Sequence, residues 1–186
     1  MALPHEHCAP GEVCCTSLFD VAANILEIAH TAVVGCSDCD CDLPPIVGYV
    51  SMGYRVEDPQ ADYVAVSLLS VFPSPRSADQ SGNMQLPVYR ASFQVKLLET
   101  GWPMPYGDGE EILVPDPDFV QNAARHSYAH GEAMYRALAN ALARKELNLA
   151  CRDCFQRIEP LQPVEPSGGT VGWMTNIVLG TSFGNG

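Results

Sequence analysis

The chain has 186 residues, 47% of them hydrophobic and 17% charged, a balance typical of a folded protein large enough to bury a core. Ten basic residues stand against twenty-two acidic ones, and the net charge of −12 argues against tight nucleic-acid binding through phosphates. No stretch approaches the roughly twenty apolar residues of a membrane-spanning helix, and the N-terminus lacks the pattern of a secretory signal. We therefore expect a protein that works where it is made, without a membrane.

The first predicted element is a helix over residues 18–33, which follows a cysteine- and histidine-bearing arm at residues 1–15. Apolar residues recur along it at helical spacing. They are Leu18, Val21, Ala22, Ile25, Ile28, Ala29, Ala32 and Val33. Ser17 and Asp20 resemble a capping pair at its start, and Gly35 is well placed to end it.

Three strands are predicted next. Residues 46–56 form a strand weakened by its glycines, and residues 61–73 are apolar on both faces, which indicates a central strand. In residues 88–98 apolar side chains alternate with polar ones, as in a half-buried strand. The polar excursion at residues 73–87 predicts an antiparallel pair joined by a long hairpin loop.

A second, longer helix is predicted over residues 117–147, with Asp116 as N-cap before Pro117. Its predicted apolar stripe consists of Phe119, Ala123, Tyr128, Met134, Tyr135, Leu138 and Leu142. Gly131 interrupts this helix and indicates a kink or a close backbone approach. Further strands are predicted at residues 155–160 and 171–179.

These elements predict one α+β domain over residues 1–186 in the order α-β-β-β-α-β-β. We expect an antiparallel or mixed β-sheet of about four to five strands, covered on one face by two helices and carrying long hairpin loops.

Eight cysteines are the strongest chemical signal in the chain. Four of them form two C-x-x-C pairs, Cys36/Cys39 and Cys151/Cys154, each after a predicted helix. Together they are candidate ligands of a structural zinc ion, although the gap between the pairs far exceeds that of compact zinc modules. Disulfides and ordinary free thiols remain alternatives.

Other candidate sites lack the pattern that their chemistry requires. His126 and His130 lie on one helical face, but no glutamate follows His126 as in a helical zinc-protease motif. A satisfied or solvent-facing pair is favoured. Trp173 is expected to pack in or beside the core. No catalytic constellation is apparent, so the sequence favours a protein without enzymatic activity or cofactor.

The layout and several segments resemble the tail terminator, or tail completion, proteins of long-tailed bacteriophages, especially those of actinobacterial phages. The segments that carry the resemblance are the helix at residues 18–33, ADYVAVSLLSVFP, FQVKLLETGWP, the helix around residues 133–142, and PSGGTVGWMTNIVLG. The likeness spans most of the chain and is one of pattern and spacing.

The resemblance implies a structural protein of the virion tail or neck, assembled in the host cytoplasm. Its copies would form a ring, usually a hexamer, that caps the tail tube and joins it to the connector or stopper protein of the head. Genomic DNA would pass through the acidic lumen without specific binding. The alternatives are a head-completion or neck connector protein, and a small zinc-binding module or enzyme that uses the two C-x-x-C pairs.

Two loops, at residues 73–87 and 102–115, are the predicted contacts with neighbouring subunits or partner proteins, since binding residues concentrate on loops held by a rigid sheet. The candidate contact residues are Pro73, Arg76, Met84, Trp102, Met104, Tyr106, Asp108, Glu110 and Glu111. The acidic group Asp108, Glu110 and Glu111 lacks the alternating oxygen ligands of a calcium loop, so a solvated loop is favoured.

Overall fold

Two helices and six strands make up the part of the chain that the structure, a computed structural model, describes. That part comprises residues 17–36, 46–52, 62–73, 88–100, 117–148, 155–164 and 170–182. The elements are α1 (Leu18–Val34), β1 (Val47–Met52), β2 (Tyr63–Pro73), β3 (Val88–Thr100), α2 (Pro117–Ala143), β4 (Gln156–Ile158), β5 (Gln162–Pro163) and β6 (Thr170–Ser182). The predicted α+β class is confirmed.

The six strands form one mixed sheet in the order β1-β2-β3-β6-β4, with β5 also paired to β6. β1 runs parallel to β2, and the other pairings are antiparallel. The predicted antiparallel pair is therefore β2 with β3, and β2 is a central strand as expected, because β1 lies on its other side. The sheet has one strand more than predicted. The additional strand, β5, has two residues and is too short to show the alternation of apolar and polar residues that predicts a strand.

A single hydrophobic core lies between the two helices and one face of the sheet. Ile25 of α1, Met134 and Leu138 of α2, Phe93 of β3 and Ile177 of β6 are fully buried in it. Because all these elements contribute to the same cluster, both helices cover the same face of the sheet, as predicted.

Helix α1 has the ends that its sequence predicts. The side chain of Ser17 accepts a hydrogen bond from the N–H of Asp20, whose carboxylate accepts one from the N–H of Ser17. This reciprocal capping box satisfies two amide groups that a helix start leaves unpaired. Gly35 ends the helix, and its N–H donates to the carbonyl of Thr31.

Helix α2 ends at Ala143, and the predicted continuation to residue 147 is wrong. Lys145 has a φ of 60°, in the left-handed region. The N–H of Glu146 donates to Ala141, and that of Lys145 to Leu142. These two bonds form a Schellman motif, which closes a helix by turning one residue into the left-handed conformation. The motif usually has glycine at that residue. Because lysine stands there, the sequence carries no glycine signal for the end of the helix.

The apolar stripe of α2 is only partly as predicted. Met134 and Leu138 are buried, but Tyr128 is 65% exposed and does not belong to the core. A helix turns about 100° per residue, so Tyr128 points well away from Met134 six positions later. Its ring instead packs at 4.8 Å, between ring centres, on the indole of Trp173.

Candidate functional site

The face of the sheet that points away from the helices is called here the outer face. Side chains alternate along a strand, so the residues between the core positions form this face. Its members are Tyr63, Ala65 and Ser67 of β2, Arg90, Ser92, Gln94, Lys96 and Leu98 of β3, and Met174, Asn176 and Val178 of β6. The three β2 residues are buried, and the others are half-buried.

A row of polar side chains crosses the outer face from strand to strand. The pairing register aligns Ser51, Ser67, Gln94 and Asn176. The hydroxyls of Ser51 and Ser67 lie 2.6 Å apart, and the amide of Asn176 donates to Glu159 at 3.0 Å. A one-residue slip would turn the polar side chains of the slipped strand toward the core, so burial of the opposite face fixes the register.

Arg90 lies at the end of the outer face where β2 ends and β3 begins. Its guanidinium carbon is 4.5 Å from the ring centre of Phe155, a distance typical of a cation–π contact. Gly180 of β6 pairs with Arg90, and its N–H donates to the carbonyl of Phe155 at 2.6 Å. Because residue 180 is glycine, no side chain stands between the ring of Phe155 and the guanidinium.

We call Phe72, Arg90 and Phe155 the Arg90 patch. Phe72 pairs with Arg90 across the hairpin and is 39% exposed, while Phe155 is 45% exposed. The Nε atom of Arg90 is buried and has no hydrogen-bond partner within the described ranges. The patch therefore combines two exposed aromatic rings with a guanidinium that has an unused donor.

On the other side of the sheet, His130 and Glu99 form a buried pair between α2 and β3. Nδ1 of His130 lies 2.5 Å from Oε1 of Glu99, and both residues are buried. The expectation that His130 is a satisfied histidine is confirmed. The pair lies inside the domain, where it fixes the helix against the sheet.

A shallow cleft of about 230 Å³ opens between α2, β5 and β6. Its walls are mainly apolar, with Tyr128, Trp173 and Pro163 among the lining residues. The indole Nε1 of Trp173 donates to the hydroxyl of Ser127 at 3.1 Å. Trp173 packs against the edge of the core, as its sequence context predicts.

Most of the predicted contact residues lie outside the described residues. Those are Arg76, Met84, Trp102, Met104, Tyr106, Asp108, Glu110 and Glu111. Pro73 is described, and it is exposed at the end of β2, next to Phe72 of the Arg90 patch.

Of the four candidate zinc ligands, only Cys36 is described. It is partly exposed and forms no disulfide, and its N–H donates to the carbonyl of Val33 just after α1. Cys39, Cys151 and Cys154 lie outside the described ranges. Within those ranges, no group of three histidine, cysteine or acidic side chains is arranged to hold a metal ion.

Sequence reasoning missed the Arg90 patch, because its members come from three separate parts of the chain. The alternation in β3 predicts that Arg90 points away from the core, but it does not show what lies beside it. Phe155 reaches Arg90 only through the pairing of β6 with β3 and β4.

No protein-family model and no curated protein matches this chain. In the described parts of the chain, no helix is both long enough and apolar enough to cross a membrane.

Proposed function

We propose that this protein is a tail terminator: a structural protein of the virion whose copies form a ring that caps the tail tube and joins it to the head connector. The observation that supports this proposal best is the Arg90 patch on the outer face. Aromatic rings and arginine are enriched at the centres of protein interfaces. A sheet with helices on one face and such a patch on the other is suited to assembly.

The distribution of charge also supports a ring around DNA. Eight of the twenty-two acidic residues and seven of the ten basic residues lie in the described ranges, so those ranges are nearly neutral. The remaining segments hold fourteen acidic and three basic residues. Acidic segments lining a lumen would repel the phosphates of passing DNA and keep the genome from adhering during ejection.

Assembly with the tail tube is the direct test. The purified protein is added to growing tubes of the tail tube protein, and tube length and end structure are followed by electron microscopy. A tail terminator stops growth and leaves a ring of density at one end of each tube. Tubes that grow unchanged at saturating protein, with no density at either end, would contradict the proposal.

The head-completion alternative predicts a different location. A tail terminator is found on headless tails, whereas a head-completion protein is found on tailless heads. Labelling both particles with an antibody against the chain separates the two functions, because each alternative places the protein on only one of them.

A further inference from the structure

Two of the described arginines, Arg90 and Arg125, form no ion pair with a described carboxylate, but Arg125 is exposed, whereas Arg90 is half-buried. Arg136, Arg144 and Arg157 each lie within ion-pair distance of a carboxylate. Arg90 has no such partner among the described residues, although acidic residues outnumber basic ones by more than two to one. Its recorded contact is the face of the Phe155 ring.

The chemistry of this arrangement favours a carboxylate. Stacking on an aromatic ring uses the flat face of a guanidinium and leaves its edge, where the N–H donors lie, free for a planar anion. Nε itself is buried and has no partner among the described residues, so the donors that a group from another chain can approach are those of the terminal nitrogens. A carboxylate that binds between exposed aromatic rings is partly removed from water, which strengthens its pairing with arginine.

The chain itself contains a fitting partner segment. Residues 101–116 carry Asp108, Glu110, Glu111 and Asp116, with no lysine or arginine among them. We propose that the Arg90 patch binds this acidic segment of a second copy of the chain. The inference rests on the proposed ring function and specifies which two surfaces of the subunits meet.

A contact of this kind joins two different surfaces, so it is heterologous. Each copy offers one Arg90 patch and one acidic segment, and successive copies repeat the same contact head to tail. Such a contact closes into a ring when the rotation between copies divides a full turn evenly. The segment's location in the chain also fits the earlier expectation that the loop at residues 102–115 contacts a neighbouring subunit.

Charge reversal on each side of the contact tests the proposal. Arg90→Glu places like charges opposite each other, and so does the double change Glu110→Lys/Glu111→Lys. Each variant alone should associate at least about tenfold more weakly than the unchanged protein, measured by light scattering and native mass spectrometry over a concentration series. Thermal melting verifies that each variant is folded.

Mixing the two variants supplies the decisive measurement. In the mixture, the reversed patch of one variant can meet the reversed segment of the other, and the two native surfaces can meet each other, so the mixture should assemble into rings containing equal numbers of both. A mixture that stays as monomers, while the unchanged protein forms rings, would overturn this inference and leave the ring function standing. An unchanged protein that stays monomeric and never caps tubes would overturn both.

Two controls separate the contact from a general charge effect. Arg125→Glu makes the same charge change on the exposed surface of α2 and should leave association unchanged. Asp38→Lys/Asp40→Lys reverses a different acidic segment, so it should assemble alone and should not bring Arg90→Glu into its rings when the two variants are mixed. Rings that contain equal numbers of these two variants would overturn the assignment of residues 101–116 as the partner.

Discussion

His130 and Glu99 hold helix α2 to strand β3 through a buried imidazole–carboxylate contact, with 2.5 Å between Nδ1 and Oε1. Glu99 occupies the core-facing register of its strand, two residues after the fully buried Leu97. A polar pair at such a position stabilises the fold only as long as both members are present, because each member alone loses the contact that offsets the cost of its burial.

Removing either member of this pair should therefore be costly. We expect Glu99→Ala and His130→Ala each to lower the free energy of unfolding by about 3–5 kcal/mol. The free energy lost by the double variant should be at least about 1 kcal/mol smaller than the sum of the two single losses, because the second change removes a group whose contact across the pair is already gone. Urea denaturation of the four proteins measures this coupling. The exposed pair Glu132–Arg136 is the control, with an expected coupling of about 0.5 kcal/mol or less.

Gly131→Ala should destabilise the protein although alanine is the better helix former by about 1 kcal/mol. A Cβ at residue 131 would lie 2.6 Å from Cγ and Cδ1 of Trp173. That indole is held by its bond to Ser127 and by its packing on the core, so relieving the overlap should cost about 1–3 kcal/mol. The free energy of unfolding measured in urea gives the sign directly.

The same substitution should reverse its sign when the indole is absent. In the Trp173→Ala variant, residue 173 has no γ-carbon that could overlap with the new methyl group. Gly131→Ala in that background should therefore raise the free energy of unfolding by up to about 1 kcal/mol. Equal effects in both backgrounds would show that the close approach of Gly131 to Trp173 does not govern this position.

Lys145→Gly should raise the free energy of unfolding by about 0.5–1 kcal/mol. Residue 145 adopts a φ of 60°, which strains a residue with a Cβ and leaves glycine unstrained. Lys145→Ala is the matched control: it removes the lysine side chain but keeps the strained backbone, and should not stabilise. If alanine stabilises as much as glycine, the lysine side chain and not its backbone is the cause. The melting temperatures of the unchanged protein and the two variants distinguish these outcomes.

Gly172→Ala should be far more disruptive than Gly48→Ala. A Cβ at residue 172 would lie 2.0 Å from the carbonyl oxygen of Leu97, so β3 and β6 could not keep their pairing there. We expect a loss above about 4 kcal/mol, or no folded protein. At residue 48 the nearest atom is 3.1 Å away on the His30 ring, and a small shift relieves it. Comparable losses in the two variants, measured by urea denaturation, would contradict this account.

The sequence predicts well what depends on neighbours along the chain. The alternation of β3 predicted Tyr89, Ala91, Phe93, Val95 and Leu97 on one face, and all of them except the half-buried Tyr89 are buried in the core. The serine–aspartate spacing at the start of α1 predicted its capping box for the same reason. In both cases, the periodicity or the hydrogen bond involves residues within a few positions of one another.

Features that join distant segments could not be predicted in this way. Glu99 and His130 are 31 residues apart, and neither shows its partner in its own local pattern. The Arg90 patch depends on the register of β6 against β3, which places Gly180 beside Arg90. The prediction of where α2 ends was wrong for a different reason: Lys145 takes a conformation that its residue type disfavours.

Strand β2 has two different environments along its length. β1 pairs with it only from Tyr63 to Leu68, and the register against β3 shifts just beyond that point, between Leu68 and Ser70. The first five residues of β2 are buried, and the last four are exposed. Amide protons at its end that point away from β3 should therefore exchange faster than those at its start, which lie between two strands. The buried first half of β2 therefore contributes to the stability of the domain, whereas its last four residues contribute surface.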